Sequence, residues 1–170
     1  VVYNHTMKII GIDPGFDRNG VAIIETAGIG NKKDTLLFSV LIQTDKKQVM
    51  SERLGTVSVQ IEQIIKEHKP DLLIMEQLFM SKNVKTVIGV AEARGVILAA
   101  AGKANVPTRE IGPMQVKLAI TGYGKAEKSA VEMMVGKLID LPERKMIDDE
   151  VDAIAIALAG SAVFGREFLK

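Results

Sequence analysis

The chain contains no cysteine, which removes disulfides and zinc–thiolate sites from consideration. Its two histidines, His5 and His68, lie far from each other and from every motif described below. A bound metal would therefore be held by carboxylates, and that favours a hard cation such as Mg²⁺ or Mn²⁺. No stretch is long and apolar enough to span a membrane. Residues 1–6 precede a methionine and lack the basic start and apolar run of a signal peptide. They are expected to lie outside a single domain over residues 7–165, and a cytoplasmic location is the default expectation. No low-complexity tract, linker or solenoid repeat divides the chain. Aromatic residues make up only 4%, so an aromatic beside a candidate site carries weight.

Hydrophobic residues make up 47% of the 170 positions, enough to build one core. The net charge of +1 says nothing by itself for nucleic acid. Four acids that a metal would neutralise are argued below; without them the remainder is basic, which is compatible with a DNA-binding face.

The pattern of apolar residues predicts strands at Lys8–Asp13, Gly20–Glu25 and Thr35–Gln43, an antiparallel meander with a turn at Gly28-Ile29-Gly30-Asn31. A helix follows over Ser51–His68, with Leu54, Val57, Ile61, Ile64 and Ile65 on one face, Ser51 as its cap and Lys69-Pro70 as its end. Asp71–Glu76 reads as a central strand, parallel to an earlier one because a crossover helix leads into it. Lys85–Lys103 is a helix rich in small residues. Val106–Ile111 is a strand that Pro107 places at an edge. A short helix from Pro113 to about Ile120 and helices over Glu127–Ile139 and Asp149–Val163 complete the chain. The order βββαβαβα, with helices to finish, implies one mixed five-stranded sheet flanked by helices, an α/β fold.

Asp13 closes the first strand and Glu76 the fourth. If these strands are parallel neighbours, both acids emerge at the same edge of the sheet. Asp149 and Asp152, three apart at a helix start, share a face and gain from the helix N-terminus. Four convergent carboxylates need cations. Two divalent ions about 3.5–4 Å apart would balance them and clamp a phosphodiester for in-line attack by water. Each piece also has a plainer explanation. Asp13-Pro14-Gly15 is good turn chemistry, and Asp148, Asp149, Glu150 and Asp152 suit a helix first turn. Glu76 is harder to explain away, because an acid ending an apolar run is costly if buried and unpaired. It is the conjunction of the four that favours a metal site.

These residues belong to a longer pattern. Gly11-Ile12-Asp13-Pro14-Gly15, Glu76-Gln77-Leu78-Phe79-Met80-Ser81-Lys82-Asn83, Ala93-Arg94-Gly95, Gln115-Val116-Lys117, Ala126-Glu127-Lys128-Ser129 and Asp149 with Asp152-Ala153-Ile154-Ala155-Ile156-Ala157 occur in order. Together they resemble the RuvC family of Holliday junction resolvases over roughly residues 7–162. The resemblance implies an RNase H-like fold, a homodimer, and Mg²⁺-dependent nicking of two opposed strands at a four-way junction. By the same resemblance Asp13, Glu76, Asp149 and Asp152 match the family's catalytic, metal-holding acids. Phe79 matches an aromatic set against junction bases, and Lys117 and Lys128 match basic residues near the backbone and active site. The family's branch-migration complex, RuvA and RuvB, is a candidate partner. Phe16-Asp17 departs from the small and basic pair common after the glycine, so Asp17 is expected to weaken contact with the DNA backbone there. Ala130 stands where glutamine is common.

Phe79 can stack on an unpaired base or simply cap the sheet edge. Lys82, Arg94, Lys117, Lys125 and Lys128 can meet phosphates or be ordinary solvated surface. The small-residue helix can serve a two-fold dimer or pack tightly on its own sheet. The eight methionines read as core filler. Two other activities fit the acids less well. An RNA–DNA hybrid nuclease would contact the 2′-OH, for which no feature argues, and a non-catalytic junction-binding protein would be expected to lack one of the acids. A sugar-kinase or chaperone-type ATPase shares the Gly-Ile-Asp strand but needs two such domains.

Overall fold

The structure, a computed structural model, describes residues 6–27, 33–78 and 84–168. The expected turn at 28–31 and two candidate DNA contacts, Phe79 and Lys82, lie outside the described residues. Among the described residues ten elements follow in order. Strands β1 (Lys8–Asp13), β2 (Arg18–Glu25) and β3 (Thr35–Gln43) precede helix α1 (Met50–His68), strand β4 (Leu72–Glu76) and helix α2 (Val84–Lys103). Strand β5 (Thr108–Ile111) and helices α3 (Pro113–Thr121), α4 (Lys128–Leu138) and α5 (Asp148–Phe168) complete the chain.

The sheet order is β3-β2-β1-β4-β5. The meander is antiparallel, whereas β4 runs parallel to both β1 and β5. The mixed sheet, the parallel β1–β4 pair and the edge position of β5 are as the sequence predicts. β2 starts two residues before Gly20, because Arg18 and Asn19 continue the ladder opposite Gln43 and Ile42. Helix α5 continues past Val163 to Phe168. Ser51 does not cap α1. The helix begins at Met50 with Val49 as the capping residue and no side-chain hydrogen bond, which puts Ser51 inside the first turn. Lys69 ends α1 in the left-handed region, its N–H donating to the Ile65 carbonyl at 2.8 Å.

Side chains alternate across the sheet, and the apolar strands feed two cores. Ile10, Ile12, Leu73 and Met75 face α1 and α2. Ile9, Leu72 and Ile74 face α5, with α3 and α4 beyond it. Helix α5 lies unusually close to the strands. A Cβ on Gly11 would stand 2.3 Å from the Ala153 carbonyl oxygen, and one on Gly20 1.9 Å from that of Asp149. Only glycine admits the helix backbone there. Met7 is buried and its N–H donates to Thr26 Oγ1. Met75 is also core, but Met114 and Met133 are exposed, so the methionines are not uniformly filler. No helix among the described residues is long and apolar enough to cross a membrane.

Candidate active site

The period-two alternation that sorts the core also aims the acids. Asp13 shares its face with Ile9 and Gly11, and Glu76 shares its face with Leu72 and Ile74. Both therefore point to the α5 side, at the same end of adjacent parallel strands. Asp13 pairs with Gly20 across the β1–β2 ladder. The backbone of Asp149 rests on that glycine, which brings the first turn of α5 over Asp13. One turn along α5, Asp152 joins Asp13 and Glu76 in lining a cleft of about 280 Å³, with Lys117 and Lys128 on its walls. A larger hollow of about 630 Å³ lies at the opposite end of the sheet beside Lys66, Lys69, Asp71 and Lys103, remote from the acids.

Glu150 fixes the start of α5. Its carboxylate accepts from the Ile147 N–H at 3.2 Å, the back-reaching half of a capping box. It also accepts from Ser39 Oγ on β3 at 2.8 Å and from both terminal nitrogens of Arg144, at 3.0 and 2.6 Å. The Arg144 hydrogen bond is the main reason its carboxyl is drawn down to about 2.

The four candidate acids feel one another. Burial pushes Asp13 up to about 7, and the charges of Glu76, Asp152 and Asp149 push the same way. Glu76 is raised by burial and by Asp152, against the pull of Arg94. The two outer acids have partners. Asp149 accepts a hydrogen bond from Arg18, and Asp152 one from Lys128 Nζ at 2.9 Å. Among the described residues no three acids already surround one point as a closed ligand set, and Asp149 and Asp152 are paired with these cations. The inner pair, half-buried and without an ion pair among the described residues, is short of positive charge. An all-carboxylate donor set in that condition fits a hard divalent ion.

The candidate basic residues separate. Lys117 and Lys128 stand on the cleft. Lys125 is exposed on the turn between α3 and α4, beside Tyr123 and Met114. Arg94 is not at the surface that a phosphate contact needs. Its side chain is 7% exposed, and its guanidinium is committed to Glu110 and to the Glu76 carbonyl. That placement ties α2 and β5 to the end of β4, beneath the acid.

Asp17 is likewise not the loose negative charge expected. It accepts from Arg53 at 2.6 Å and pairs with Lys46 at 2.9 Å. Buried Arg53 also donates to the Phe16 carbonyl at 2.6 Å and to Thr44 Oγ1 at 3.1 Å, and it lies 4.4 Å over the Phe16 ring. The Phe16 ring fills the space above Gly89 of α2. Arg18 and Arg53 have no signal of their own in the sequence. An adjacent Asp-Arg pair just after a strand is common surface chemistry.

Comparison with known proteins follows the same lines. A family model described as crossover junction endodeoxyribonuclease RuvC matches residues 9–160. A crossover junction endodeoxyribonuclease RuvC of Carboxydothermus hydrogenoformans is 42% identical over 161 residues, spanning 94% of this chain and 98% of that protein. Thermus thermophilus RuvC superposes with a TM-score of 0.87 at 31% identity, over 95% of this chain and 98% of that one. The same protein bound to a Holliday junction substrate gives 0.87 at 32% identity, over 95% and 96%. The α/β, RNase H-like expectation for the fold holds.

Proposed function

Because the chain belongs to the RuvC family of crossover junction endodeoxyribonucleases, we propose that it resolves four-way DNA junctions by hydrolysing phosphodiesters in two opposed strands. The observation that carries this reading is the gathering of Asp13, Glu76, Asp149 and Asp152 at one edge of the sheet, two of them held short of positive charge. These four are the residues that would hold divalent metal, Mg²⁺ with Mn²⁺ as a substitute, and two ions suit four carboxylates. Such ions, when bound, lower the pKa of an attacking water and stabilise the leaving 3′-oxygen.

The protein's own groups do the rest. Asp13 and Glu76, on rigid strands, set the floor of the site, and α5 brings Asp149 and Asp152 to it at a distance fixed by Gly11 and Gly20. Lys117 and Lys128 on the cleft walls, Lys125 further out, and Lys82 meet phosphates and orient the strand without reading sequence. Phe79 stacks on bases at the branch point. Arg94 supports Glu76 from behind. Residues 7–165 act as one nuclease domain in the cytoplasm.

Two opposed nicks call for two sites related by a two-fold axis. One face of α2 packs inward through Val87, Ala93, Ile97 and Ala101. The opposite face leaves Ile88, Gly95, Ala99 and Gly102 exposed and suits a homodimer. RuvA and RuvB are the proposed partners on branched DNA. The test is cleavage of a synthetic four-way junction with Mg²⁺ and then EDTA, beside linear duplex and RNA–DNA hybrid controls. Paired symmetric nicks that need both metal and junction are expected. Hybrid-only cleavage, or binding without nicks under every metal tried, would overturn the reading.

A further inference from the structure

We infer that Arg18 is a phosphate contact held in reserve: it neutralises Asp149 while the site lacks metal and is released to the DNA backbone when a divalent ion claims that carboxylate. The inference rests on Asp149 being a metal ligand, as proposed above.

The placement is specific. Arg18 is the first residue of β2, two before the Gly20 that pairs with Asp13. Its side chain is 45% exposed and anchored on a strand at the mouth of the site, with Nη2 on Asp149 Oδ2. Lys128 stands on Asp152 in the same way, at 2.9 Å. The two outer acids thus carry side-chain cations, whereas the two inner ones have no ion pair among the described residues. A divalent ion on Asp149 withdraws the negative charge that holds the guanidinium and repels it directly, so the two compete for this carboxylate. A divalent charge among four acids is the stronger competitor.

Release leaves Arg18 with little to return to. The neighbouring acid, Asp17, is already held by Arg53 at 2.6 Å and Lys46 at 2.9 Å. Asp148 is nearby but 79% exposed, and Lys128 lies 3.9 Å from it. A planar guanidinium freed at the lip of a nuclease cleft matches a phosphate in fork geometry. The arrangement makes metal and DNA binding mutually favourable, since each removes the competitor of the other's partner, and the coupling is reciprocal.

The test is a double-mutant cycle on junction affinity, read by fluorescence anisotropy of a labelled four-way junction. Arg18→Ala is made in the wild type and in Asp149→Asn, and each protein is measured in EDTA and in Ca²⁺. In EDTA, Arg18→Ala is expected to change affinity little in the wild type but by about tenfold in Asp149→Asn, where the guanidinium is already free. In Ca²⁺ the wild type is expected to show the same tenfold dependence. Equal effects of Arg18→Ala in both backgrounds in EDTA would overturn the inference. A Ca²⁺ titration of thermal stability without DNA separates this from the metal reading. Arg18→Ala is expected to shift the midpoint to lower Ca²⁺. A wild type that Ca²⁺ does not stabilise would overturn the metal site and the release by metal together, while a background-dependent Arg18 effect would still assign the phosphate contact.

Discussion

The carbonyl oxygen of Asp149 occupies the space where a side chain on Gly20 would begin, 1.9 Å from the position of a Cβ. The distance between the acids on the strands and those on α5 is therefore set by an absent methyl group. Gly20→Ala is expected to push the first turn of α5 outward. Cleavage should fall by on the order of a hundredfold, with about 1–3 kcal/mol lost from stability. Denaturant melts and junction nicking measured on the same preparation check this. Unchanged nicking would show that the close approach does not matter to the site.

Glu76→Gln removes one inner carboxylate and keeps its shape. Junction binding should be retained while cleavage falls at least about a hundredfold. Without metal the variant should melt higher than the wild type, because a half-buried charge with acidic neighbours is gone. Gel shift, nicking and thermal melts in EDTA check the three parts. Retained nicking would remove Glu76 from the metal set.

Asp13 titrates near 7 in the folded protein against about 3.8 in an unfolded chain. Between those values the folded state holds more protons, so metal-free stability should fall as pH rises from about 5 to 7.5. The slope reaches at most about 1.4 kcal/mol per pH unit. Glu150, drawn down to about 2, works in the opposite sense, but its contribution is lost only below about pH 4.5. Saturating Mg²⁺ should flatten the slope between pH 5 and 7.5. Chemical denaturation across that range, with and without Mg²⁺, reads both effects, and a metal-free stability that rises over this range would contradict the assignment.

Arg94 and Lys117 should separate cleanly. Arg94→Ala leaves Glu110 and the Glu76 carbonyl without their donor and should lower stability by about 3 kcal/mol, with the salt dependence of junction binding unchanged. Lys117→Ala should leave stability within about 0.5 kcal/mol and reduce the salt slope by about one. Denaturation and salt-titrated anisotropy distinguish the two. A reduced slope for Arg94→Ala would return that residue to the DNA surface.

Element order and the two strand-end acids are legible in the sequence, because apolar periodicity and turn residues act locally. What brings the acids together is less so. The common face of Asp13 and Glu76 depends on strand register, which a continuous apolar run does not display. The seating of α5 depends on Gly11 and Gly20, and an isolated glycine in a strand has several uses. Arg94 reads as a basic residue near a site because charge is visible in sequence and burial is not. Glu150 looks like one more acid in a helix first turn, yet it is the one that anchors the helix, through partners as distant as Ser39.

Phe16, Asp17, Lys46, Arg53 and Gly89 come from four separate places in the chain but behave as one inseparable part. The charge of Asp17 is tolerable beside the acids only because Arg53 and Lys46 cancel it, and the bulk of Phe16 only because Gly89 yields to it. A chimaera carrying this turn into another nuclease scaffold would have to move all five positions or none, so the natural unit of exchange here is a contact set and not a segment.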